Sequence, residues 1–179
     1  MLLAGLSVVQ PATNRMTARD IYGRSWSLLA PAAGQFDLLF FLSTDCPISN
    51  RYAPEIERMC REYGPRGVRC FAVYPDAVEA GVVRRHRRDF GFPDTIPAII
   101  DRDHAMVRAV APRVTPEAAI YAPRGRLYRG RIDDLYVDVG RSRREPTRHD
   151  VRWALDAALA GRPVSMSETE AIGCAIPQS

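Results

Sequence analysis

An apolar run at positions 36–42, interrupted only by Asp37, is too hydrophobic for a strand with one wet face. It predicts a central strand covered on both sides, the habit of sheets flanked by helices. Downstream, Ile56, Met59 and Tyr63 recur at spacings of three and four, which predicts an amphipathic helix over 51–63, stopped by Gly64-Pro65-Arg66-Gly67. The pattern then gives a second strand at 68–74, a second helix at 76–90 with Val78, Val82, Val83 and Phe90 on its apolar side, and a third strand at 96–100. A short helix over 103–110 follows. Strands at 118–121 and 127–132 are joined through Pro123 and Gly125, both turn residues, and form a hairpin. Upstream, β-formers around Tyr22-Gly23-Arg24 predict an opening hairpin over 15–29. Near the end, Thr147-x-x-Asp150 caps a final helix carrying Val151, Leu155, Ala158 and Leu159 on one face, closed by Gly161 and Pro163.

The 179 residues suffice for one domain with a substantial core, read here as 15–163. Residues 164–179 lack periodicity and form a tail. Residues 1–14 carry Leu2, Leu3, Leu6, Val8 and Val9 without a positively charged leader, so they resemble at best a truncated export signal. Both an extracytoplasmic, periplasmic location and a cytoplasmic one stay open. With 46% hydrophobic and 26% charged residues the composition is ordinary, and no apolar run reaches the roughly 18 residues of a membrane span. The net charge of +4 comes from arginine runs at 84–88 and 141–144 that no stacking aromatics interleave. They read as solvated basic faces, and no nucleic-acid partner is expected. Oligomeric state is not legible.

Candidate chemistry centres on Cys46, which the pattern puts where a strand turns into a helix. Unpaired N–H groups and the helix dipole favour an anion there and can draw a thiol from about 8.5 toward roughly 3.5–7.5. The other cysteines, Cys60, Cys70 and Cys174, form no C-x-x-C pair with it. Cys60, beside Met59 on the first helix, and Cys70, in the second strand, read as core or boundary residues, or as a structural disulfide in an oxidising compartment. His86, His104 and His149 are scattered among charges and read as surface residues; no metal-ligand spacing and no cofactor motif is present. Asp133-Asp134 reads as a strand-end turn, with substrate contact as the other reading.

The β-α-β unit with Cys46 at its turn, followed by a hairpin and a closing helix, resembles the thioredoxin-like α/β fold, a central mixed sheet flanked by helices. Pro54, eight residues after Cys46, resembles the proline of the family's active-site helix, and Thr115-Pro116 resembles its cis-proline. The stretches Cys46-Pro47-Ile48-Ser49-Asn50-Arg51-Tyr52, Val114-Thr115-Pro116-Glu117, Tyr128-Arg129-Gly130-Arg131-Ile132-Asp133-Asp134 and Glu168-Thr169-Glu170-Ala171-Ile172-Gly173-Cys174 are similar to the bacterial redoxin branch of the alkyl hydroperoxide reductase and thiol-specific antioxidant family.

That resemblance implies an oxidoreductase with Cys46 as nucleophile, acting on a protein disulfide or thiol or on a peroxide, with an external thiol as reductant. It further implies that Thr115 and Pro116 receive an extended peptide. The chain departs from the family in two places. Ser49 stands where a thioredoxin has its second cysteine, and Leu39 stands where the peroxidase pattern P-x-x-x-[ST]-x-x-C has proline, although Ser43 fits. Cys174 is the candidate resolving thiol, in a tail that can reach back, while the Asp45 carboxylate favours the neutral thiol. The competing expectation is a binding module without turnover, holding a partner or Cu(I) through Cys46 and Cys174; Asn50 stands where related copper chaperones have their second cysteine.

Overall fold

The computed structural model describes residues 15–177; the leucine-rich segment 1–14 and residues 178–179 lie outside the described residues. An antiparallel hairpin of β1 (Met16–Arg19) and β2 (Ser25–Leu28) comes first. Then follow β3 (Phe36–Phe41), α1 (Pro47–Tyr63), a single 3-10 turn at Gly64–Arg66, β4 (Val68–Tyr74), α2 (Ala80–Asp89), β5 (Ala98–Ile100) and α3 (Ala105–Val110). A two-residue strand β6 (Val114–Thr115) leads into the hairpin of β7 (Glu117–Ala122) and β8 (Gly125–Gly130). A small ribbon, β9 (Tyr136–Asp138) with β10 (Arg141–Ser142), precedes α4 (Asp150–Leu159), and β11 (Cys174–Ala175) lies in the tail.

Five strands form the central sheet in the order β5-β4-β3-β7-β8, with β4 parallel to β3 and to β5, and β7 antiparallel to β3 and to β8. Strand β3 is central and covered on both faces, as its composition demands. Leu38, Phe40 and Leu42 pack with Ile48, Tyr52, Ile56, Met59 and Tyr63 of α1 and with Val151 and Leu155 of α4. Leu39 and Phe41 face the other way, onto Phe71, Val73, Met106, Val110 and the hairpin residues Leu28 and Leu29. Each such side chain stabilises the fold by about 1.5–3 kcal/mol through burial alone.

One charge sits inside this strand. Asp37 is fully buried, pairs in register with Arg69 of β4, and accepts from the Arg69 Nε at 2.8 Å and from the backbone N–H of Leu29 at 3.0 Å. Arg69 also donates to the Ser27 carbonyl at 2.9 Å. The pair therefore ties the opening hairpin to the two inner strands.

Helix α2 differs from its expected form. It starts at Ala80 rather than 76, and its inward stripe is Val83, His86 and Arg87, leaving Val82 47% exposed. The phase turns because the polar tips find partners indoors. His86 is 5% exposed, stacks on Phe92, and lies between the Tyr74 hydroxyl (3.1 Å) and Asn50 Oδ1 (2.8 Å). Arg87 donates to the carbonyls of Pro93 and Ile96. The expectation of surface histidines fails for His86 and for His104, which is also buried and contacts the Pro75 carbonyl; His149 is half-buried. Nor is the 84–88 run wholly a solvated face, since Arg87 is inside.

Thr147 does not cap α4, whose N-terminal flank is His149. Its hydroxyl donates instead to Asp134 Oδ2 at 2.7 Å, and the N–H groups of Thr147 and Arg148 donate to Asp134 Oδ1 at 2.6 and 2.8 Å. Burial alone would raise the Asp134 carboxyl, but these donors, with Arg143 at 3.2 Å, hold it down at about 2. Asp134 thus anchors the loop leading into α4, in keeping with the turn reading of Asp133-Asp134. Among the described residues no helix is long and apolar enough to cross a membrane.

Two outcomes follow for stability. Asp37→Ala leaves Arg69 and the Leu29 N–H without their acceptor and should lower the free energy of unfolding by about 2–4 kcal/mol, read from urea denaturation. Because the Asp134 pKa is depressed from 3.8 to about 2, its contribution is complete above about pH 4 and is lost as pH falls toward 2. Asp134→Asn should therefore lower the urea midpoint at neutral pH, and the gap to wild type should close between about pH 4 and 2; a gap that stays constant over that range would contradict the assignment.

Candidate active site

The chain leaves the sheet centre at the end of β3 and turns through 43–46 into α1. Two serines brace the turn: the Ser43 N–H donates to Ser49 Oγ and the Asp45 N–H to Ser43 Oγ, each at 3.4 Å, while the Cys46 N–H reaches the Ser43 carbonyl at 3.4 Å. Cys46 is the N-cap residue of α1, extended at φ −85 and ψ 112, and its carbonyl accepts from Asn50 at 3.0 Å. No side chain caps this end and no acidic residue occupies the first turn. The first N–H groups and the helix dipole are thus directed at the cysteine.

Cys174 reaches it from the tail. The two form a disulfide with a Cα–Cα distance of 6.0 Å, inside the ordinary range of about 4.4–6.8 Å. Cys46 Sγ also lies 3.1 Å from the Thr115 carbonyl oxygen. The Thr115-Pro116 bond is cis, and Thr115 and Pro116 are both buried. Strand β11 pairs antiparallel with β6, Cys174 opposite Thr115 and Ala175 opposite Val114. Cys46, Cys174, Thr115 and Pro116 therefore converge on one spot, with Ser43 and Ser49 in the supporting turn behind it.

The sequence did not signal how the rest of the tail is held. The Arg129 N–H donates to the Ser167 carbonyl at 3.0 Å and the Thr169 N–H to the Arg129 carbonyl at 3.1 Å. The Arg129 guanidinium pairs with Glu168 of the tail and lies 3.5 Å from Glu117, the residue after Pro116. Glu117 in turn accepts from the Arg113 N–H at 2.7 Å; burial raises its carboxyl pKa against the pull of these donors and of Arg129. The Thr169 hydroxyl meets the Tyr128 hydroxyl and accepts from the Arg131 N–H. Gly130, at φ +148, lies so close to Thr169 that any Cβ would overlap it. The available signal was Glu117 and Arg129 themselves, charges standing among the apolar residues of the last hairpin.

Helix α1 is tethered beyond its first turn. Asn50 meets His86, as described above, and burial lowers the His86 pKa, which favours the neutral ring. The Tyr52 hydroxyl donates to Asp133, and both groups are pushed upward by burial. Cys60 and Cys70 form a second disulfide, Cα–Cα 5.8 Å, joining the end of α1 to β4. Fourteen residues of helix put it about 21 Å from Cys46, too far for direct exchange. Two grooves flank the helix, one of 430 Å³ past Cys60, Cys70 and Trp26 and one of 780 Å³ past Arg51, Tyr52 and Arg152; neither is lined by Cys46 or Cys174.

No family model matches the chain, and no curated protein matches it. Solved structures do. A conserved protein of Geobacillus kaustophilus is similar at 23% identity over 93% of this chain and 90% of its own, with a TM-score of 0.79. A candidate thioredoxin of Neisseria meningitidis is similar at 20% identity, over 83% and 89% of the two chains, with a TM-score of 0.63. A secreted disulfide oxidoreductase of Mycobacterium tuberculosis is similar at 16% identity, over 82% and 95%, with a TM-score of 0.54. At these identities the likeness speaks for the architecture, and the chain has the thioredoxin-like fold.

Proposed function

We propose that the chain is a thiol–disulfide oxidoreductase in which Cys46 is the attacking thiol and Cys174 the resolving one. One observation carries this reading: the two cysteines are joined at a helix N-terminus, on the strand edge beside a cis-proline. The supply of N–H groups at Cys46 favours its thiolate, which is both the better nucleophile at neutral pH and the better leaving group. The secreted mycobacterial neighbour is a disulfide oxidoreductase, which agrees with this chemistry.

Exchange then runs in two balanced halves. Cys46 thiolate attacks one sulfur of a partner disulfide, forming a mixed disulfide and releasing the partner's other sulfur as a thiolate. Cys174 thiolate attacks the Cys46 sulfur, closing Cys46–Cys174 and releasing the partner fully reduced; two electrons have passed from the protein. An external thiol returns them. Cys46 is only 1% exposed whereas Cys174 is half-buried, so the reductant attacks Cys174 and expels Cys46 as thiolate; a second thiol then clears Cys174. The partner would lie along the edge that the tail occupies in the structure. Pairing of all four cysteines favours an oxidising, extracytoplasmic compartment.

In Cys46→Ser, turnover of a disulfide-bonded protein substrate with a dithiol reductant should fall to the uncatalysed rate; activity that survives would remove the assignment. Cys174→Ser should instead accumulate a mixed disulfide on Cys46, visible as a mass adduct under non-reducing conditions. Mild peroxide treatment of the reduced protein, followed by a non-reducing peptide map, should give the Cys46–Cys174 crosslink. Sulfinic Cys46 beside free Cys174 would rule out an internal two-cysteine cycle.

A further inference from the structure

The edge that receives the tail imposes a different demand at each position. Immediately before the cysteine, Gly173 rests on the Thr115-Pro116 peptide so closely that a Cβ would lie 2.7 Å from the Thr115 carbonyl carbon and still closer to its oxygen. Those are backbone atoms, held by the β6–β11 pairing, and they have no rotamer to change. One position after the cysteine, Ala175 points to solvent. Two positions after, Ile176 is 4% exposed, and its N–H donates to the Arg113 carbonyl at 3.2 Å, continuing the antiparallel pairing. Two positions before, Ile172 packs half-buried against the main cluster.

Backbone pairing supplies affinity that is blind to sequence, while the pockets along such an edge supply selectivity. Here the tail displays what those pockets accept. We propose that the Thr115 edge selects partner proteins whose reactive cysteine stands in an extended segment, with glycine immediately before it and an aliphatic residue two positions after it. The chain's own residues 172–176 are the intramolecular copy of that ligand. This rests on the thiol–disulfide reading above and adds the class of partner to it. Because the tail and a partner need the same backbone groups of Val114 and Thr115, they exclude one another. Return of the tail to the edge is therefore coupled to expulsion of the reduced partner, and the tether gives the tail an effective concentration of the order of mM.

The test uses full-length Cys174→Ser, in which the tail loses its covalent clamp and Cys46 is free while Cys60 and Cys70 stay paired. It is mixed in turn with the symmetric disulfides of the peptides Ile-Gly-Cys-Ala-Ile, Ile-Val-Cys-Ala-Ile and Ile-Gly-Cys-Ala-Asp, and with a small aromatic disulfide. Adducts on Cys46 are timed by mass spectrometry. The first peptide should react about tenfold or more faster than the other two, the low end of what a single misfitting group carries in an apolar pocket. Equal rates for the three peptides, with normal reaction of the aromatic disulfide, would overturn the partner pattern and leave the redox reading standing. Silence toward the aromatic disulfide as well would overturn both. A second variant, Gly173→Val in the otherwise native chain, should close the Cys46–Cys174 bond about tenfold or more slowly after reduction and reoxidation; an unchanged closing rate would also overturn the proposal.

Discussion

A central strand with no wet face is the constraint from which the site follows. β3 can bury both rows of its side chains only between two neighbours and beneath helices on both sides. Once it is there, its end is delivered to the middle of the sheet's margin, and the next element must leave the sheet there. The antiparallel partner β7 starts where β3 stops, with Glu117 opposite Phe41. That register brings Thr115-Pro116 against Cys46, the N-cap of α1. Two segments 69 residues apart, Cys46 and Thr115, are thus neighbours because of how β3 is buried, before any bond between the cysteines is considered.

The tail is held by more than its sulfur. Arg129 is a buried cation shared between Glu117, which bonds the N–H groups of the β6 approach, and Glu168, which belongs to the tail. It also donates to the carbonyls of Val110 and Ala111, contacts independent of Glu168. Breaking the disulfide touches neither the ion pair and the two backbone hydrogen bonds at Arg129 nor the close contact at Gly130. In the proposed exchange only residues 172–176 leave the edge. That gives the proposed resolving thiol a fixed return path from a docking point upstream of it.

Much of this was legible in the chain. β3 and β4 were readable because an apolar run broken by a single charge has few other destinations, and the bounds of β4 agree with its pattern residue for residue. α2 was readable as a helix but not in phase, since the apolar count favoured Val82 and Phe90 while the structure spends that face on His86 and Arg87. Hydrophobic periodicity cannot see a ring that stacks on Phe92 and satisfies both nitrogens, or a guanidinium that finds two carbonyls. The cap expected at Thr147 does not form: the helix starts after His149, and the Thr147 hydroxyl donates instead to Asp134, thirteen residues earlier. Local motifs presume local partners. The convergence of Cys174 on Cys46 came from a family resemblance and not from pattern, because a two-residue strand in an aperiodic tail leaves no periodic trace.

What remains is why one cysteine belongs to a long helix and the other to a tail. In-line attack on a disulfide tolerates little misplacement, and an error near 1 Å is expensive. Helix α1 meets that demand along its length: the serine-braced turn at its start, Asn50 on His86, Tyr52 on Asp133, and Cys60 bonded to β4 near its end. None of these contacts involves the tail, so none is lost when the tail leaves. In the proposed cycle the nucleophile keeps these tethers in both redox states, and the exchange of partners would fall on residues 172–176. In a thioredoxin-like site with a second cysteine three residues on, both sulfurs ride the same helix. Here Ser49 closes that option and instead stiffens the turn, and the second sulfur arrives from a segment paired with the strand edge on which the proposed partner would lie.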